Sequence, residues 1–419
     1  MKKQSKKETV SNQTERRSDQ LCHQACYNAE GQAKTGLVLT GGGARAAYQV
    51  GVLKAVSHLV FKKTCGNPFP IICGTSAGAI NATLLACYAK SPAVGIKELE
   101  RVWRNFSVNQ IFYADFFGLL KNSFAWLNAI FRSKPHKSKQ VSLLNNKPLK
   151  QLLEKVIDFS MLEQALESQS LDALCVTASG YTSGQSVSFF QAKEKIKGWK
   201  RHRRVGCKTT LNCKHLMASS AIPLVFPAVQ INREFFGDGS VRFLAPLSPA
   251  IHLGAERILV VGVDPVKQAS ERKPNKLIYP TTADIAGHVL DSVFIDSLDS
   301  DLERIKRINK TLELIPEKVR QSETQLRPIE TLTISPTKDL SDLSSQYFDS
   351  LPAMVKFFFR RIGIDDSEGS TILSYLLFEK PYTKDLIELG YQDAMDMSHD
   401  IIDFFRPEIE FTKTKDQNK

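Results

Sequence analysis

Apolar positions fall in short blocks closed by glycine, and these blocks alternate with longer runs of helical period. Gly36-Leu37-Val38-Leu39-Thr40 is a compact apolar strand, followed by Gly41, Gly42 and Gly43 and then a helix-like run from Ala44 through Val60. Ile71-Ile72-Cys73 is a second strand and leads through Gly74 to Gly78 into a helix ending near Lys90. Strand, tight turn and helix thus occur twice in succession, which predicts a mostly parallel sheet. Residues 98–165 have helical period and many aromatics, with Phe116, Leu120, Phe124, Leu127 and Phe131 on one stripe. Strands resume at Leu174–Ala178, Ser186–Phe190, Phe235-Phe236 and, most strongly, Arg257–Asp264. Residues 280–325 and 340–405 are helical in pattern, Ile329–Ile334 is an edge strand, and a lysine-rich tail follows Pro407.

One uncharged stretch, Thr64 to Ala89, has the length of a membrane span. It contains Pro68, Pro70, Gly74, Gly78 and Asn81, which fit strand, turn and helix better than one continuous helix. With 42% hydrophobic and 24% charged residues, the chain can bury a large core without disulfides or metals. The eight cysteines are scattered, and several sit in apolar runs, which predicts a reducing, cytoplasmic setting. Cys22 with Cys26 and Cys207 with Cys213 are the close pairs, and neither has zinc-site spacing, so no metal is expected. The first 34 residues read as a disordered basic leader with no apolar core of a secretory signal.

Charge changes this picture in two places. Residues 131–150 carry six Lys or Arg and no acid, and residues 193–208 carry eight and one acid, so these segments account for the whole net charge of +12. Such concentration points to an anionic partner, a membrane surface or nucleic acid. Trp199 is the lone tryptophan in the second segment, and no nucleic-acid-binding module is recognised, which disfavours nucleic acid. Trp199, Lys200, Arg201, Arg203 and Arg204 are therefore expected to form a loop or hairpin tip that docks on anionic lipid.

Three motifs carry chemistry. In Thr40-Gly41-Gly42-Gly43-Ala44-Arg45-Ala46, glycines after a strand let backbone N–H groups aim at negative charge. The spacing also fits a dinucleotide fingerprint, but that needs an acid about 20 residues on, and none occurs between Glu30 and Glu98. An oxyanion hole or a plain tight turn remains. Gly74-Thr75-Ser76-Ala77-Gly78 is a G-x-S-x-G between strand and helix, the setting of a nucleophile elbow. Asp238, in Gly237-Asp238-Gly239-Ser240, is a turn carboxylate by itself and a candidate base once Ser76 is in view. A Ser-Asp-His triad would need a later histidine, and His252, His288 and His399 all lie in helix-like runs that do not present them. A Ser76–Asp238 dyad fits better.

On these residues the chain resembles the patatin-like phospholipases, their bacterial members in particular. The Gly41–Ala46 block, Gly74–Gly78, Ala218–Pro227, Asp238-Gly239 and Pro249–Ala255 stand in that family's order, and the resemblance covers roughly residues 34–265. Two positions depart from the usual pattern, Ala46 and Ser240, and both are small. The resemblance implies a three-layer α/β/α sandwich with a mostly parallel central sheet, helical insertions and a helical C-terminal extension. It also implies a histidine-free dyad, an oxyanion hole from the glycine loop of Gly41, Gly42 and Gly43, and metal-free, cofactor-free hydrolysis of lipid acyl esters; Arg45, beside that loop, is expected either to aid it electrostatically or to form a surface ion pair. The expected organisation is a leader over 1–34, a catalytic domain over 35–270, an extension packed on it over 271–406 and a tail over 407–419. A lipid-binding protein that has lost turnover and a lipid acyltransferase are the competing readings.

Overall fold

The computed structural model describes residues 33–61, 63–64, 66–113, 142, 144–242, 245–265, 296–316, 319, 326–361 and 371–407. The leader, the stripe from Phe116 to Phe131, most of the first basic segment, His288 and the tail beyond Pro407 lie outside these residues.

Among the described residues ten strands form one sheet: β1 (Thr35–Leu39), β2 (Ile71–Thr75), β3 (Ala173–Gly180), β4 (Ser186–Ala192), β5 (Trp199–Arg201), β6 (Arg204–Lys208), β7 (Val229–Ile231), β8 (Glu234–Asp238), β9 (Arg257–Val261) and β10 (Glu330–Ile334). Their order is β10-β9-β1-β2-β3-β4-β6-β5, with β8 also paired to β3 and β7 to β8. From β10 to β3 every pairing is parallel, as the strand-turn-helix pattern predicts. Beyond β3 the sheet is mixed, with antiparallel β3/β4, β3/β8, β5/β6 and β7/β8 around a parallel β4/β6 pair.

Central strands of such a sheet must be apolar on both faces, because helices cover both. In β1, Leu37 and Leu39 face one core while Val38 faces the other, and β9 divides Leu259 and Val261 from Ile258 and Val260 in the same way. Fully burying each such side chain is worth about 1.5–3 kcal/mol, so this uninterrupted apolar band is a main source of stability.

The helices are α1 (Ala47–Val56), α2 (Ala77–Cys87), α3 (Pro92–Arg104), α4 (Lys147–Val156), α5 (Phe159–Glu167), α6 (Cys213–Ser219) and α7 (Ser248–Leu253). After β9 come α8 (Asp296–Glu313), α9 (Leu340–Ser345), α10 (Ala353–Arg361), α11 (Thr371–Leu376), α12 (Lys380–Asp396) and α13 (Ser398–Phe404). Helices α1 to α6 and the C-terminal helices pack on the larger core, and α7 with Ile305 of α8 on the smaller one, giving three layers. The uncharged Thr64–Ala89 stretch contributes β2 and α2, and among the described residues no helix is long and apolar enough to cross a membrane.

The C-terminal residues complete this same core. β10 extends the sheet beside β9, and α12 packs along α1, where the Tyr48 hydroxyl donates to Asp393 Oδ2 at 3.0 Å. The other Asp393 oxygen accepts from the Thr337 hydroxyl at 2.8 Å, so the buried carboxylate is satisfied by two separate segments.

Candidate active site

Register alone explains how two residues so distant in sequence meet. β2 pairs with β3 over Ala173–Thr177, and β8 pairs with β3 over Ala178–Gly180. Because β4 occupies the opposite edge of β3 along Ala173–Ser179, β8 must lie on the β2 side. The C-terminal ends of β2 and β8 therefore point at one another, and those ends carry Ser76 and Asp238. β1 ends beside them, which places the glycine loop at the carboxyl ends of the parallel strands, where ligands of open α/β sheets bind.

Ser76 has φ 55° and ψ −128°, a conformation that costs an L-residue energy and that lifts a nucleophile clear of its sheet. The turn is held by the Ser76 N–H, which donates to Ser219 Oγ at 2.8 Å, while the Ser219 hydroxyl donates to the Thr177 carbonyl at 2.6 Å. Gly78 lets α2 start directly against β1, since a Cβ there would sit 2.3 Å from the Thr40 carbonyl oxygen.

The Ser76 hydroxyl donates to Asp238 Oδ2 at 2.6 Å. Asp238 is fully buried, and its other oxygen accepts from the Ser240 N–H at 2.9 Å. Burial disfavours the carboxylate more than these hydrogen bonds favour it, so the Asp238 pKa is pushed up to about 6. The aspartate thus stays ionised at neutral pH while becoming a better proton acceptor than a solvated carboxylate. No hydrogen bond among the described residues joins a histidine to Ser76 or Asp238. His252 bonds through Nδ1 to the Ser248 carbonyl at 2.8 Å within α7, and His215 caps α6 by accepting from the Asn212 N–H at 3.1 Å.

Gly43 has φ +53° and lies against the Tyr375 carbonyl, so the loop is walled from behind by α11. No hydrogen bond within the described residues takes the N–H of Gly42 or Gly43. Ser76, Gly43 and Ala77 stand in the lining of a cavity whose remaining walls are mostly apolar. Ile80 and Leu84 of α2, Val102 and Trp103 of α3, Leu149 and Leu153 of α4, Phe226 and Phe378 form these walls. Gly41, Gly74 and Gly78 serve the backbone turns around this cavity rather than its lining.

Two further expected site residues, Arg45 and Trp199, are held by contacts with other parts of the fold. Arg45 is buried and turned into the C-terminal helices, with Nη1 on Asp264 Oδ1 at 2.6 Å, Nη2 on Ser341 Oγ and Nε on Ser374 Oγ, both at 2.8 Å. Its guanidinium also covers the Tyr375 ring at 4.1 Å, so it ties the glycine loop to the C-terminal helices. Trp199 stacks on Phe190 at 5.2 Å and on His252 at 4.9 Å, against the smaller core, because it is the strand residue that faces the sheet. Its ring is thus half-buried against that core. Lys200, Arg201 and Arg203 of the same hairpin are exposed, and Arg204 is half-buried.

Ser219, Ser220 and Ala221 surround the dyad without having been singled out from the sequence, Ala221 through its carbonyl, which accepts the Asp238 N–H at 2.8 Å. The one signal for them is their place in the Ala218–Pro227 segment that the resemblance includes.

Several solved structures share features of the chain. VipD from Legionella pneumophila is 12% identical with a TM-score of 0.34, over 88% of this chain and 67% of VipD. The human GIVD cytosolic phospholipase A2, solved with methyl gamma-linolenyl fluorophosphonate, is 11% identical with a TM-score of 0.38, over 94% of this chain and 63% of the human one. ExoU of Pseudomonas aeruginosa, solved with SpcU, is represented by a chain 13% identical with a TM-score of 0.25, over 91% of this chain and 90% of that one. These likenesses are too weak to carry an argument, and among curated proteins no match is found. The family model for patatin-like phospholipase, by contrast, matches residues 37–251, just over half of the chain, and spans the glycine loop, Ser76 and Asp238. The chain belongs to the patatin-like phospholipase family.

Proposed function

We propose that this protein is a serine acyl-hydrolase that cleaves acyl esters of phospholipids or related lipids, with Ser76 as nucleophile and Asp238 as general base. The observation that carries this reading is the 2.6 Å hydrogen bond from the Ser76 hydroxyl to a fully buried carboxylate. Asp238 accepts the Ser76 proton as Oγ attacks the ester carbonyl, then passes that proton to the departing alcohol. The N–H groups of Gly42 and Gly43 receive the oxyanion, each such donor being worth about 10²–10³ in rate. Water, deprotonated by Asp238, then hydrolyses the acyl-enzyme. The apolar cavity supplies a place for an acyl chain, and the complete burial of Asp238 supplies the low dielectric that raises its pKa.

The substrate lives in membranes, and the exposed cations Lys200, Arg201 and Arg203, with Arg204 beside them, suit a surface that docks on anionic lipid from the cytoplasmic side. Incubating the protein with phospholipid, lysophospholipid and acylglycerol, with Ser76→Ala as control, tests the function. Release of fatty acid by wild type alone is expected, and no release from any lipid ester contradicts the proposal.

A further inference from the structure

Two large apolar side chains stand exposed beside the cavity that Ser76 lines. Leu224 is 65% exposed and Tyr113 is 44% exposed. Leu224 lies two residues from Ile222 and two from Phe226, and Tyr113 lies two residues from Ile111; all three of these neighbours line the cavity. Two residues span at most about 7 Å, so both side chains belong to the outer edge of the cavity.

Backbone hydrogen bonds join the two positions. The Tyr113 N–H donates to the Asn145 carbonyl at 3.1 Å, and Leu144, the residue before, donates its N–H to the Val225 carbonyl at 2.9 Å. The buried rings of Phe112 and Phe226, chain neighbours of Tyr113 and Val225, lie 6.3 Å apart. Tyr113 and Leu224 therefore stand on one rim.

Leu224 is also held at a cost. Its φ is +69°, in the left-handed region that a leucine seldom enters. The Phe226 N–H donates to the Ile222 carbonyl at 2.9 Å and closes a turn with Leu224 at its middle, while Pro223 and Pro227 stiffen its flanks. Single exposed leucines are common on soluble proteins, but this one is braced in a strained turn, paired with Tyr113 and fixed at a cavity edge.

We propose that Leu224 and Tyr113 insert into the apolar layer of the lipid surface that carries the substrate and set the edge of the cavity against it. This rests on the proposed reaction of a lipid acyl ester at Ser76. An acyl chain that leaves a bilayer for an apolar cavity crosses water unless the two apolar phases meet, and this rim closes the gap. Leucine supplies hydrocarbon, and tyrosine keeps its hydroxyl among the headgroups while its ring lies below them. The contact needs no lipid charge, which separates it from the basic hairpin.

The test is sedimentation with vesicles of zwitterionic phosphatidylcholine at high salt, where the hairpin cations are screened. Leu224→Asn keeps the left-handed turn, which asparagine accepts, and removes the hydrocarbon, whereas Leu224→Met retains the hydrocarbon. Leu224→Asn is expected to lower partitioning by about tenfold, the low end of the worth of one leucine side chain, with Leu224→Met within about twofold of wild type. Tyr113→Ser is expected to weaken partitioning in the same direction. The thermal midpoint of Leu224→Asn is expected at or above that of wild type, and its turnover of a short soluble ester within about twofold. Wild type that does not sediment with these vesicles, or that sediments no better than Leu224→Asn and Tyr113→Ser, overturns the proposal. So does an equal loss of soluble-ester turnover, which would make the turn a part of the site itself. Sedimentation needs no turnover, so a wild type that binds the vesicles through this rim but cleaves no ester overturns the Ser76 reading and leaves the insertion standing.

Discussion

Arg45 Nη1 lies 2.6 Å from Asp264 Oδ1, and this pair, with its arginine buried and its aspartate half-buried, joins the glycine loop to the segment just after β9. Removing the buried guanidinium loses this contact and leaves the Ser341 and Ser374 hydroxyls without its hydrogen bonds, at a cost of about 1–3 kcal/mol for each buried group left unsatisfied. Arg45→Met is therefore expected to unfold at a clearly lower temperature than wild type. An arginine acting on the oxyanion would behave differently. Its variant would keep the wild-type midpoint and lose only turnover, so thermal unfolding read beside kcat separates the two roles.

The raised pKa of Asp238 sets an activity profile and a stability cost together. Activity depends on the ionised base, so kcat/KM should rise with pH through about 6 and level off above it. Between the ordinary carboxylate value of 3.8 and about 6, the folded protein holds a proton that the unfolded chain has released. Its stability from this group accordingly falls as pH rises through that window. Asp238→Asn removes the buried charge and should gain up to about 2–3 kcal/mol at pH 7, while losing several orders of magnitude in turnover. The two variant properties are checked by denaturant unfolding and steady-state kinetics, and a destabilised Asp238→Asn at pH 7 goes against the desolvated-base account.

The basic hairpin predicts a salt-sensitive association. Each cation near an anionic surface is worth about 1 kcal/mol, so four engaged side chains change binding by roughly a thousandfold at low salt. Replacing Lys200, Arg201, Arg203 and Arg204 with glutamine should weaken sedimentation with anionic vesicles and lower activity on them. Hydrolysis of a short soluble ester should be unchanged, because the hairpin bonds to neither Ser76 nor Asp238. Equal vesicle binding by wild type and the quadruple variant would remove the docking role.

The parts of this architecture that rest on local rules are legible in the sequence. Gly36–Thr40 and Ile71–Cys73 announce parallel strands, because a run apolar on both faces has few other uses in a globular chain. Gly74–Gly78 announces its own sharp turn, and the structure gives Ser76 the expected positive φ. What the sequence withheld depends on contacts from distant segments. Arg45 carries no local sign that Asp264, Ser341 and Ser374 would surround it. Trp199 looked like an exposed anchor among lysines, but strand pairing turned its ring toward Phe190 and His252. Ser219 and Ser220 are two adjacent hydroxyls of identical chemistry, and only the fold decides that Ser219 is the one that holds the elbow. Asp238 lies between these cases, an ordinary Asp-Gly turn until the β3 register places it end to end with Ser76.

The central claim is that Ser76 is the nucleophile, and the most direct measurement is covalent labelling with a lipid-like fluorophosphonate followed by peptide mapping. Phosphonylation needs an activated hydroxyl with an adjacent base, not merely an exposed serine. The account predicts one adduct, on the peptide containing Ser76, absent in Ser76→Ala and strongly slowed in Asp238→Asn, with His252→Gln and His399→Gln labelled at nearly the wild-type rate. Equal labelling of wild type and Ser76→Ala, or an adduct mapped to another serine, contradicts it.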